Sequence, residues 1–174
     1  MQVYTRVKQG QFTPPVVTRN NMWHSGSGKP VSLDEILKCI HSHTRSNGSV
    51  YIGCDSQIYR EKCTFSTVIC LHGADGQSGG YYFFRREKED NSSYPTMLMR
   101  LLKEVELSVE LGYQILEQNP EVDIEIHIDA NSKKDQPTGK FAEMLMGYAK
   151  GAGFRCKIKP EAWASNSIAD KHSK

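Results

Sequence analysis

Val50-Tyr51-Ile52-Gly53-Cys54-Asp55 is the stretch on which the reading of this chain turns. Apolar and small residues, bounded by Asn47-Gly48 on one side and an acid on the other, read as a buried strand ending in a carboxylate. A second strand, Val122 to Asp129, alternates apolar and polar residues and closes on Ile126-His127-Ile128-Asp129. Between the two, Glu104 lies in a long helical pattern, and Asp170 follows late in the sequence. If the strands are neighbours with both carboxyl ends at one edge, these four acids converge. Carboxylates a few Å apart raise each other's pKa and cannot all stay ionised without cations. Hard divalent ions take such oxygen ligands, so the pattern points to a two-metal site for phosphoryl chemistry. Taken singly, Asp55 and Asp129 read as turn residues, because Ser56 and Ala130-Asn131-Ser132 follow them. It is the coincidence of four that favours a metal site.

Working outward, Ser32 with Glu35 three residues later forms a capping box before Leu33, Ile36, Leu37 and Ile40, which predicts a short amphipathic helix. Thr64 to Leu71 and Tyr81 to Arg85 read as two more strands, joined through Gly73 to Gly80 into an antiparallel meander. Leu98, Leu101, Leu102, Val105, Val109, Gly112 and Leu116 keep helical spacing from Pro95 to Asn119-Pro120. Lys140 to Lys150 predicts another helix, Phe154 to Lys159 a fifth strand, and Trp163 to Lys174 a terminal helix or turn. The expected fold is α/β: a five-stranded mixed sheet, three antiparallel strands followed by α/β units, flanked by helices. Residues 1–30, with Pro14-Pro15 and Ser25-Gly26-Ser27-Gly28, read as an arm or loop, and 31–174 as a single domain.

Composition sets outer bounds. A chain of 174 residues with 38% hydrophobic and 24% charged residues suits one domain with a sizeable core. Its net charge of +2 argues little about partners, because an acidic site can cancel a basic face elsewhere. The five cysteines are odd in number and none are spaced C-x-x-C, which argues against a disulfide scaffold or structural zinc and for a reducing cytosol. No run approaches the roughly 20 apolar residues of a membrane span. Residues 1–10 lack the apolar core of a signal peptide. The expectation is a cytoplasmic protein without membrane contact.

The element order and the acids resemble the ribonuclease H-like fold. Ile52-Gly53-Cys54-Asp55-Ser56-Gln57 is similar to its first-strand motif, and Glu104-Val105 with Ser108-Val109 and Gly112 to its helix pattern. Ile126-His127-Ile128-Asp129 resembles the fourth strand, and Asn166-Ser167-Ile168-Ala169-Asp170 the late Asn-x-x-Ala-Asp pattern. More narrowly, Gly53-x-Asp55-Ser56-Gln57, Ser27-Gly28-Lys29-Pro30-Val31 and Lys159-Pro160 are similar to the YkuK-type family, over about residues 22–172. The resemblance implies a nuclease with two Mg²⁺ or Mn²⁺ ions. Asp55 would bridge both ions, Glu104 and Asp129 would hold one, and Asp170 would help hold the other. RNA, as a hybrid or structured strand, is the favoured substrate, and DNA comes next. The helix also offers Glu106 and Glu110. Glu104 and Glu106 flank opposite sides of the apolar stripe, so only one can face the strand ends; the family pattern selects Glu104. Candidate substrate contacts are Ser56, Gln57 and Asn166 within the motifs, with Lys133 and Lys159 near the same elements. Trp163 and Tyr59 are candidates for stacking.

Other motifs carry less. Gly28-Lys29 lacks a phosphate loop's upstream glycine, since Trp23 stands there, and Pro30 replaces its Ser or Thr. His41 and His43 face different sides of a helix. His127 reads as a strand-face side chain, and His172 beside Asp170 is a candidate proton carrier.

Overall fold

The computed structural model describes residues 22–174, and what the sequence suggests for 1–21 lies outside it. Its centre is a mixed sheet of seven strands: β1 (Trp23–Ser25), β2 (Pro30–Val31), β3 (Ser49–Tyr59), β4 (Lys62–His72), β5 (Gly80–Asp90), β6 (Ile124–His127) and β7 (Arg155–Lys157). They lie in the order β2-β1-β5-β4-β3-β6-β7, with β6 parallel to both β3 and β7 and the other pairs antiparallel. The five expected strands are the last five in that order.

Two strands were not expected. Where the composition predicts an arm or loop up to residue 30, β1 and β2 form a hairpin paired to the edge of β5. One aromatic anchors it: Trp23 is buried in the main core, and the Arg85 guanidinium lies 4.9 Å over its ring. A short hairpin with a single large apolar residue gives no periodic signal.

Helices α1 (Leu33–Arg45), α2 (Met97–Gln118) and α3 (Ala142–Gly151) pack on one face of the sheet. The Ser32 hydroxyl accepts from the Glu35 N–H, and the Glu35 carboxylate accepts from the Ser32 N–H, completing the predicted capping box. Thr96 caps α2, so Pro95 precedes that helix and does not occupy its first turn. Ile36 and Ile40 of α1, Val105 and Ile115 of α2, and Leu145 of α3 bury against Ile52, Ile69 and Ile126 of the sheet. Each such side chain contributes about 1.5–3 kcal/mol by leaving water.

The other face carries a smaller apolar cluster. Val68, Cys70 and Phe84 meet Ala164 and Ala169 of a π-helical turn, Ala164–Ala169, that leads into the single helical turn α4 (Asp170–Ser173). Glycine makes this cover possible. A Cβ on Gly53 would stand 2.6 Å from the Ser165 nitrogen, so only glycine lets the turn's backbone lie on β3.

Asp55 does not end its strand, as its apolar lead-in suggested. β3 continues to Tyr59, and β4 and β5 match its length across eleven-residue ladders. Gln57, Ile58 and Tyr59 at its end are exposed, and β4 anchors the extension by burying Cys63 and Phe65 against Leu107.

Candidate active site

Parallel pairing of β3 with β6 positions the first two acids. Gly53 stands opposite His127 in the register. Asp55, still within β3, and Asp129, just past the end of β6, are each two residues further on and therefore stand at about the same level. The Asp55 carboxylate lies on the face covered by the C-terminal turns, where the Ser173 hydroxyl donates to it at 2.7 Å. Burial, together with the charges of Asp129 and Asp170, pushes its pKa up to about 6 against the opposing effect of that hydrogen bond.

Glu104 arrives from the opposite face on α2. Only 5% of it is exposed, and the Ser56 hydroxyl donates to its Oε1 at 2.6 Å. Burial pushes this carboxyl well above the usual range, and the charge of Asp55 pushes it further. The helix thus turns Glu104 toward the strand ends. Glu106 points away and pairs with Lys103 at 2.9 Å.

Asp129 and Asp170 are partly exposed, and each faces a lysine. Lys159 Nζ is 2.6 Å from Asp129 Oδ1, and Lys174 Nζ is 2.7 Å from Asp170 Oδ2. Two expected substrate contacts are consequently engaged with the acids themselves: Ser56 with Glu104 and Lys159 with Asp129. Gln57 and Lys133 are exposed. Asn166 is half-buried, and its side-chain oxygen accepts from the Ser167 hydroxyl at 2.9 Å.

The donor set has the chemistry of a hard-cation site, consisting of carboxylates from two adjacent strands, a helix and the C-terminal turn. Burial first, and the charges of neighbouring acids after it, raise the affinities of Asp55 and Glu104 for protons. As the side chains stand, among the described residues no three of His, Cys, Asp and Glu are grouped to hold one ion. Hydroxyls hold Asp55 and Glu104, and ammonium groups hold Asp129 and Asp170.

Three supporting residues escaped the sequence reading of the site. Gly53 admits the C-terminal cover, and a glycine inside a strand was its available signal. Ser173 is a common surface residue type in sequence and shows its role only through its contact with Asp55. His127, expected to be a strand-face side chain, is one, but it also has a structural task. Its Nδ1 accepts the Ala164 N–H at 3.1 Å, which leaves the proton of the neutral ring on Nε2 to donate to Glu125 at 3.1 Å. Burial lowers its pKa and favours that neutral form. Glu125 is held in turn by Arg155 at 3.0 Å. This chain of contacts ties β6 and β7 to the turn that leads to Asp170. His172 is buried between strand and turn. It stacks on Phe84 with centroids 3.8 Å apart and pairs with the Tyr82 hydroxyl at 3.1 Å.

A family profile described as ribonuclease H-like matches residues 32–174. The chain belongs to this ribonuclease H-like family, the YkuK type whose motifs it carries. No curated protein and no solved structure matches it. The fold is therefore one of nucleases and nucleic-acid-binding proteins. Among the described residues no helix is long and apolar enough to cross a membrane, and all five cysteines are free thiols.

Proposed function

We propose that this protein is a metal-dependent nuclease that hydrolyses phosphodiester bonds of RNA, in a hybrid or structured strand, with DNA as the second substrate class. One observation carries the reading: Asp55, Glu104, Asp129 and Asp170 come to one region of the sheet, where burial and repulsion raise the pKa of the first two. Cost of this kind, accepted at a cluster of acids, is the mark of a functional site.

Asp55, Glu104, Asp129 and Asp170 would hold two Mg²⁺ or Mn²⁺ ions. Such ions, when bound, lower the pKa of a water and stabilise the leaving oxygen. The chain's own groups set the geometry. Ser56 orients Glu104, and Ser173 orients Asp55. Lys159 and Lys174 neutralise Asp129 and Asp170, and with cations on those acids their ammonium groups would be available to phosphate oxygens. Hydrolysis in this class leaves 5′-phosphate and 3′-hydroxyl ends. A catalytically silent nucleic-acid-binding protein is the second reading, because no three acids are yet grouped around one point among the described residues.

The test is incubation of the protein with labelled RNA–DNA hybrid, duplexes and single strands in Mg²⁺ or Mn²⁺, beside Asp129→Asn. Metal-dependent cleavage that the substitution abolishes supports the nuclease. Binding of strands without cleavage selects the silent reading.

A further inference from the structure

The long strands extend past Asp55, where one face buries Cys63 and Phe65 while Gln57, Tyr59 and Lys88 on the other are exposed. Side chains of paired residues share a face, so the register defines rows across the sheet. Asp55, Ser66 and Arg86 form one row, Gln57, Thr64 and Lys88 the next, and Tyr59, Lys62 and Asp90 the last. The first row belongs to the acids. Beyond it, the C-terminal turns no longer cover the sheet, leaving a groove of about 460 Å³. Gln57, Tyr59, Thr64, Arg86, Lys88 and Lys174 line it, with Arg60 and Lys62 at the hairpin tip.

Its charge is one-sided. Five cations line the groove against one carboxylate, that of Glu61. Among the described residues Arg86 and Lys88 form no ion pair, and Lys62 reaches Asp90 only at 3.8 Å. An exposed aromatic stands at the far end: Tyr59 is 70% exposed, and the Arg60 guanidinium lies 5.1 Å from its ring centre. Cations spaced along a groove suit a phosphate backbone, and an exposed tyrosine ring with a guanidinium beside it suits an unstacked base, which a closed duplex does not offer.

We propose that this groove binds a single-stranded segment of nucleic acid, with its backbone along Lys88, Arg86 and Lys174 and a base on Tyr59, and leads the strand to Asp55. The proposal rests on the nuclease reading, narrows its substrate from hybrid or structured RNA to strands that carry an unpaired segment, and gives the path of that segment. Lys174 links the two regions, since it lines the groove and also touches Asp170. The sheet extension is thus the part of the fold that selects strand form, and the acids need not discriminate.

The test measures fluorescence anisotropy of labelled RNA and DNA single strands of roughly 12 nucleotides, and of the corresponding duplexes, in EDTA so that nothing is cut. The proteins are wild type, Arg86→Ala/Lys88→Ala, Tyr59→Ala and the control Lys134→Ala, whose lysine pairs with Glu143 away from the groove. The expected result is single-strand binding tighter than duplex binding. It should weaken by about 10- to 100-fold in the double variant, with a salt slope smaller by about 1.4. Tyr59→Ala should weaken it by at least about 5-fold, and the control should be unchanged. In parallel, Mn²⁺-dependent hydrolysis of bis(p-nitrophenyl) phosphate, too small to reach the groove, should stay within about twofold of wild type in the groove variants. Wild-type affinity in both groove variants, or tighter binding of duplex, overturns the groove while leaving the nuclease reading intact. Failure of the wild type to bind any strand in EDTA overturns the groove, and absence of any Mn²⁺-dependent hydrolysis of bis(p-nitrophenyl) phosphate is the separate result that overturns the nuclease reading.

Discussion

Ser173 donates its hydroxyl to the Asp55 carboxylate at 2.7 Å across 118 residues of sequence. Through it the C-terminal turn is fastened to the first acid, which makes the site a product of tertiary closure. The bond favours the ionised carboxylate, opposing burial and the neighbouring charges. In Ser173→Ala the Asp55 pKa should therefore rise further, and the pH at which Mn²⁺ binds should move upward. Loss of a buried bond to a charged group should also cost about 1–3 kcal/mol of stability. Mn²⁺ titrations across pH, with denaturant unfolding, measure both. An unchanged binding pH would show that the hydroxyl has no hold on the carboxylate.

The raised pKa of Asp55 predicts a pH effect of definite sign. Its folded value of about 6 lies above the unfolded value, which is about 3.9, so the folded protein binds the proton more tightly. The stabilising effect is complete below about pH 4 and is lost as pH rises through about 6. Glu104, also raised, adds in the same direction. In EDTA, Asp55→Asn has no such proton to lose and should be more stable than wild type at pH 7, on the order of 2 kcal/mol. Urea unfolding from pH 4 to 8 reads the gap between the two proteins. A gap that does not widen between pH 4 and 6 contradicts the placement of this acid.

Glu104 and Glu106 separate by role. Glu104→Gln keeps a partner for the Ser56 hydroxyl and should fold with an undiminished Tm while losing at least about 100-fold in metal-dependent cleavage. Glu106 faces outward toward Lys103, and Glu106→Gln should stay within about twofold of wild type. Equal losses from both substitutions would contradict the orientation of α2.

Gly53→Ala tests the close approach of the C-terminal cover. The added Cβ meets the backbone of Ala164 and Ser165, which cannot rotate away. The expected cost is about 1–3 kcal/mol, and cleavage should fall as well because Asp170 and Ser173 follow that turn. Thermal unfolding and activity assays decide. A variant as stable and active as wild type would mean that the turn does not rest on β3.

Much of this was legible in the residues, for identifiable reasons. Ile36, Val105 and Leu145 recur at helical spacing because their helices bury one face, and the acids of β3 and β6 stand out because each ends an apolar run. The edge hairpin was not legible, since Trp23 is its one buried anchor and the remaining residues are polar or small. Nor was the length of β3 and β5, because pairing to the buried β4 carries their ends into solvent, where polar side chains give no burial signal. In the site, the four acids could be named, whereas Ser56, Ser173 and His127 acquire their tasks only from contacts across the fold.

The most direct measurement is a calorimetric titration of the metal-free protein with Mn²⁺ at pH 7.5, beside Asp55→Asn. The account predicts divalent-ion binding in the wild type, a release of protons that grows when the titration is repeated at pH 6, where Asp55 is about half protonated, and loss of binding in the variant. A folded wild type that binds no Mn²⁺ at millimolar concentration, or binding that Asp55→Asn leaves intact, would contradict the claim that these acids form a metal site.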